Sequence, residues 1–104
     1  MNINLKASGF KLTPAIRENV SAKLKSVEKL ISKFDENGEI ELDFEVSKTT
    51  RHHQKGNVFR AEANLNLPKK LIRAEAVEED LTAAIDKVKS ILSLAVKKYK
   101  ELSS

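Results

Sequence analysis

The sequence predicts an α+β fold: a two-layer sandwich with two helices packed on one face of a four-stranded sheet, in the order β-α-β-β-β-α. Three observations predict it. Four short stretches alternate apolar and polar residues with a period of two. Two longer stretches repeat their apolar residues at helical spacing. Three of the strands follow one another through short polar links, which favours antiparallel pairing. Each strand then has one apolar face and each helix one apolar stripe. Laying both helices on the same sheet face buries all of them at once.

The first strand covers residues 2–8, with Ile3, Leu5 and Ala7 on one side and Asn2, Asn4, Lys6 and Ser8 on the other. Gly9 breaks it. Thr13-Pro14 then marks a helix start, because Thr caps well and Pro loses nothing in a first turn whose N–H groups have no partner. The apolar positions Ile16, Val20, Leu24, Val27, Ile31 and Phe34 carry this helix over 14–34, and Asp35-Glu36-Asn37-Gly38 ends it. The clearest strand is EIELDFEV, residues 39–46, where Ile40, Leu42, Phe44 and Val46 alternate with four acids. A polar loop, KTTRHHQKGN, leads to a third strand over 58–67. Pro68-Lys69-Lys70 turns the chain into a fourth over 71–77. The motif RAEA occurs in both, at 60–63 and 73–76, and reads as strand patterning with small residues inward. The last helix spans about 79–101, its core face made by Leu81, Ala84, Ile85, Val88, Leu92, Ala95, Val96 and Tyr99. The acids Glu78, Glu79 and Asp80 stand at its start, where the positive end of the helix dipole and the free N–H groups favour them.

A chain of 104 residues suits one domain. No apolar run reaches the roughly 18 residues of a membrane span, and MNINLKASGF lacks the basic and apolar blocks of a secretory signal. There is no cysteine, which excludes disulfides and thiolate zinc sites and fits a cytoplasmic location. The net charge of +4 is unevenly spread. Residues 35–46 carry six acids and no base, whereas residues 47–73 carry seven bases against Glu62 alone. The molecule is therefore polarised.

Enzyme chemistry finds no support. The only histidines, His52 and His53, are adjacent in a polar loop with no carboxylate near them in sequence, and the acids of 39–45 lie on a solvent-facing row. Neither a metal nor a cofactor is expected, and no phosphate-cradling glycine loop is present. Binding of a polyanion fits better. Lys25, Lys29 and Lys33 recur every four residues on the side of the first helix opposite its apolar face. On the last helix Lys89 and Lys100 flank one edge of the apolar stripe and Lys87 and Lys98 the other, with Lys97 nearby. Arg51 and the loop from Lys48 to Lys55 add charge at one end. Aromatic residues fall on core faces, so nucleic acid would be met through phosphate and shape.

Several stretches resemble a known family. LTPAIRENV is similar to the first-helix motif of the short ribosome hibernation-promoting factors and ribosome-associated inhibitors, also called sigma-54 modulation proteins, through Leu12, Thr13, Ala15, Ile16, Arg17 and Val20. RAEAVEEDLTAAID is similar to the family's most specific stretch, with Arg73, Ala74, Glu75, Ala76, Glu79, Asp80, Ala83, Ala84, Ile85 and Asp86 matching. TTRHHQKGNVFRAEANLNLP resembles the middle hairpin of one branch, and the likeness covers essentially the whole chain.

The resemblance implies the same β-α-β-β-β-α fold. It also implies binding in the channel between head and body of the small ribosomal subunit, where the protein would exclude messenger RNA and tRNA without chemistry. Arg17, Lys23, Lys29, Lys98 and Lys100 match the family's basic positions, and Arg51, His52, His53 and Lys55 its basic loop. Ser26, Ile91 and Leu94 depart from it, standing where basic residues are common. The chain stops at residue 104, without the additional C-terminal domain with which long members pair ribosomes, so a single ribosome-binding domain is expected. The alternative readings are a general binder of double-stranded RNA and a protein-interaction module that uses the acidic row Glu39–Glu45.

Overall fold

A computed structural model of the chain describes residues 1–50 and 56–103. The elements are β1 (Asn2–Ser8), α1 (Pro14–Ile31) followed by a 3-10 turn (Ser32–Phe34), β2 (Glu41–Thr50), β3 (Asn57–Leu67), β4 (Lys70–Glu78) and α2 (Leu81–Ser103). The strands lie in the order β1-β2-β3-β4. The last three strands pair antiparallel, as expected from their short links. β1 pairs parallel with β2, because a helix and its loops carry the chain back to the starting end of the sheet.

Register places the inward residues in rows across all four strands: Ile3, Leu42, Leu65 and Ile72; then Leu5, Phe44, Ala63 and Ala74; then Ala7, Val46, Ala61 and Ala76. On β3 and β4 the inward positions 61, 63, 74 and 76 are alanine, which lets α2 approach these strands closely. The core is completed by Val20, Leu24, Val27 and Ile31 from α1 and by Ala84, Ile85, Val88, Leu92 and Val96 from α2, all 0–1% exposed. At about 25 cal/mol per Å² of apolar area, this shared layer is the main force holding helices to sheet.

Thr13 caps α1 as its sequence position suggests, its hydroxyl accepting from the Ile16 N–H at 3.2 Å with Pro14 in the first turn. The far end differs from expectation. The α-helix stops at Ile31 and residues 32–34 tighten into a 3-10 turn, because Asp35 is held elsewhere. Its carboxylate is ion-paired with the Met1 amino group and accepts from the Ile40 N–H at 2.9 Å. One side chain thereby ties the start of β1, the end of α1 and the entry to β2. The chain then turns through Gly38, at φ +67°, whose N–H donates to the Asp35 carbonyl at 3.0 Å.

The amino group, and next the Ile40 N–H, hold the Asp35 carboxyl below the usual carboxylate range, and its side chain is only 6% exposed. A folded pKa below the unfolded value, near 3.9, means that the stabilisation is fully present above about pH 4. It fades as the pH falls from there through the folded pKa. Asp35→Ala is therefore expected to lower stability by about 2 kcal/mol at pH 7, since it also strands a buried N–H. Thermal melts of variant and wild type should converge below about pH 4. A gap that stays constant down to pH 2.5 would rule out this role for Asp35.

The hairpin is longer than its polar sequence suggests. β2 runs on through Ser47, Lys48 and Thr49 to Thr50, paired with Arg60, Phe59, Val58 and Asn57 of β3. The Phe10 ring buttresses it, meeting Phe59 edge-on at 6.2 Å between centroids. Backbone pairing sustains the strands here, where the alternation of residue types has ended. At the other hairpin, Lys69 takes φ +63° after Pro68, and the Tyr99 hydroxyl donates to the Pro68 carbonyl at 2.9 Å. Tyr99 also packs edge-on against Phe34 at 5.2 Å, locking the ends of both helices to the β3–β4 turn.

α2 starts at Leu81, two residues later than the pattern suggests. Asp80 is its cap: its carboxylate accepts from the Ala83 N–H at 3.2 Å, and its carbonyl from the Ala84 N–H at 3.1 Å. Glu78 closes β4 and Glu79 links the two elements. None of the described helices is long and apolar enough to cross a membrane.

Candidate nucleic-acid interface

The two helices run side by side in the same direction. Contacts between them climb both chains together, from Lys23 with Asp86 to Phe34 with Tyr99. Their outer surfaces form one layer, with ten basic residues against four acids over 14–33 and 81–103. The core dictates this placement. Once Val20, Leu24, Val27 and Ile31 turn inward, residues 25 and 29, each about half a turn away, must face solvent.

Lys25, Lys29, Lys33, Arg17, Lys87 and Lys98 are exposed, and Lys89, Lys100 and Lys23 are partly covered. They are not equally available. Lys23 is ion-paired with Asp86 across the helix interface. Lys87 donates to Glu78 at 3.0 Å, back toward the end of β4. Asp86 lies 63 residues from Lys23 and Glu78 lies nine residues before Lys87 in the preceding strand, so neither pair follows the three- or four-residue spacing of a helix. In exposed pairs of this kind, phosphate can compete for the lysine at small cost. Arg51, His52, His53 and Lys55 lie outside the described residues.

The opposite face of the sheet is uncovered and has the other sign. Its outward positions on the four strands carry five acids, Glu41, Asp43, Glu45, Glu62 and Glu75, against Lys6, Arg60 and Arg73. Arg60 neutralises part of the row, with Nη1 at 3.0 Å from Glu62 and Nη2 at 2.8 Å from Glu75, and it holds the Glu75 carboxyl below its ordinary range. Asn4 donates to Glu41 and Asp43 at 2.9 and 3.0 Å. A shallow depression of about 270 Å³ is lined by Asn4, Lys6, Asp43, Glu45, Glu62 and Asn64. No group of three or more metal-ligating side chains is gathered among the described residues. The molecule thus has a basic helical face and an acidic sheet face, separated by a thin apolar core.

A groove runs between the helices on the basic side, lined by Ser26, Leu30, Lys89, Ser90, Ser93, Leu94 and Lys97. Lys97 belongs to this surface more directly than Lys87. The four-residue series Lys89, Ser93, Lys97 was the available signal for it.

The chain matches the family model described as "Sigma 54 modulation protein / S30EA ribosomal protein" over residues 3–103. The chain belongs to this family. Two family relatives carry the name "Ribosome hibernation promoting factor". The one from Klebsiella oxytoca is 30% identical over 97% of this chain and 95% of its own length. The one from Pseudomonas putida is 31% identical over 97% of this chain and 88% of its own length. Among solved structures, the N-terminal domain of Thermus thermophilus Protein Y is similar at a TM-score of 0.72 and 29% identity, covering 95% of this chain and 99% of that domain. The resemblance drawn from LTPAIRENV and RAEAVEEDLTAAID is therefore borne out, as is the fold expected with it. Within the family frame, the Asp80 cap fixes the start of α2 and so determines which of its lysines face outward.

Proposed function

We propose that the protein is a ribosome hibernation factor. It binds the small ribosomal subunit through its helical face, lies in the channel between head and body, and sterically excludes messenger RNA and tRNA. The observation that carries this reading is the segregation of charge: ten bases against four acids on the helices and five acids against three bases on the open sheet face. A polyanion meets only the first of these surfaces without repulsion. The names of the curated relatives support the ribosome as that polyanion's source.

The roles follow from position. Lys25, Lys29, Lys33, Lys98 and Arg17 are exposed point charges for phosphates, Lys89 and Lys100 add charge along the helix seam, and Lys23 and Lys87 exchange Asp86 and Glu78 for phosphate on binding. The acidic sheet face turns away from the RNA, toward solvent or basic protein surface. Occupation of space suffices for inhibition, so no reacting group is required.

Sedimentation of the purified protein with isolated small subunits tests the reading. The protein is expected to travel with the subunits in low salt and to be released as salt rises. Protein that remains at the top of a low-salt gradient sinks the proposal. Equal affinity for a plain RNA duplex would instead favour a general double-stranded RNA binder.

A further inference from the structure

The groove between α1 and α2 contains an apolar patch in the middle of the basic layer. Its volume is about 570 Å³ and its lining is largely apolar. Leu30 is partly buried in it, and Leu94 crowns the α2 side with 73% of its surface exposed. Lys89 and Lys97 stand at either end of the α2 wall, eight residues or ~12 Å apart along the helix. Three serines, Ser26, Ser90 and Ser93, share the lining.

A surface that met only phosphates would have no use for two leucines between its lysines. The occupant must be anionic at its ends and apolar in its middle. We infer that the groove seats an unpaired nucleotide of RNA, its base and ribose against Leu30 and Leu94 and its flanking phosphates on Lys89 and Lys97. This deepens the proposed function and rests on it, since the groove lies within the face assigned to ribosomal RNA.

The serines favour RNA over an acidic amphipathic helix. Ser26 and Ser90 donate to their own helix, to the Lys23 carbonyl at 3.3 Å and the Asp86 carbonyl at 3.1 Å. Their oxygens are left as acceptors for a base amino group or a ribose 2′-hydroxyl. The Ser93 hydroxyl makes no hydrogen bond among the described residues and offers both donor and acceptor. A docked helix would want an unbroken apolar stripe of three or four anchors; here polar oxygens interrupt it. A paired base cannot enter, because its edge is already engaged and its faces are stacked. The groove therefore makes the protein prefer unpaired to duplex RNA, although it lacks an aromatic platform.

Fluorescence anisotropy with a labelled unpaired RNA and a duplex of equal length tests this. Leu94→Ala is expected to weaken binding of the unpaired RNA about fivefold, to leave the duplex unaffected and to keep the salt dependence unchanged, since leucine releases no counterions. Lys97→Ala is expected to weaken both RNAs and to reduce the salt slope by about one. Leu94 is exposed, and unchanged thermal melts will confirm that the variant is folded. Equal behaviour of Leu94→Ala and wild type on both RNAs, or an equal loss on both, overturns the inference. So does an acidic amphipathic peptide that displaces RNA from wild type and fails to bind Leu94→Ala. If wild type sediments with small subunits while Leu94→Ala binds the unpaired RNA as tightly as wild type does, the groove falls and the hibernation reading stands. If wild type does not sediment with them, the reading itself falls.

Discussion

Replacing Lys25, Lys29 and Lys33 together with glutamate is expected to weaken association with small ribosomal subunits by at least about 100-fold at moderate salt, because each lost phosphate contact also forfeits its counterion release. The change reverses six units of charge on one exposed stripe while leaving the buried face of α1 untouched. Glutamate is as good a helix former as lysine. New repulsion between positions four apart costs only a few tenths of a kcal/mol, so the melting temperature should shift little. Sedimentation across a salt series is the measurement. Wild type should be released progressively and the variant should be absent from the subunit fraction even at the lowest salt. Lys87→Glu gives an internal comparison: Lys87 already faces Glu78, so its loss should weaken binding less than loss of a lysine such as Lys29, which has no acidic partner among the described residues. A triple variant that sediments like wild type would remove the helical face from the interface and direct attention to the sheet.

The basic layer follows from a simple constraint on an amphipathic helix. When apolar residues at 20, 24, 27 and 31 bury one side of a helix, the residues between them have nowhere to go but outward. The lysine stripe was legible for that reason. So were the strand of alternating acids at 41–45 and the cap at Thr13, both local patterns. What was not legible depends on partners far along the chain. The early end of α1 follows from Asp35 pairing with an amino group 34 residues away. The pairing of Lys23 with Asp86 spans 63 residues. The polar continuation of β2 to Thr50 rests on backbone bonds to β3, which leave no trace in residue type. The groove is the clearest case. Ser26 and Leu94 were visible as departures from the family pattern, and only the parallel packing of two distant helices turns them into one surface.

A second large effect is expected at Gly9, and it separates two causes of glycine selection. Gly9 adopts φ +82°, and a Cβ added there would lie 2.4 Å from the Lys48 carbonyl oxygen. Gly38 adopts φ +67° with nothing within 4 Å of the same position. Gly38→Ala should therefore meet only the left-handed backbone penalty, about 1 kcal/mol. Gly9→Ala should meet that penalty and a collision with backbone that cannot withdraw freely. Lys48 is paired with Phe59 on one side, and on the other β1 pairs up to Ser8 with Ser47. A total of about 3 kcal/mol is expected, lowering the melting temperature by on the order of 15 °C for a domain of this size. The relief available is to swing the hairpin arms away from the β1–α1 link, which would also open the Phe10–Phe59 contact. Gly9→Ala should thus weaken ribosome association at temperatures where the variant remains folded, because the arms that move flank the basic segment 51–55. Gly38→Ala, at the opposite end of the sheet, should not. Equal melting temperatures for the two variants would show that the close approach to Lys48 carries no energetic weight. A folded Gly9→Ala variant with full binding would show that the position of the hairpin is not part of the interface.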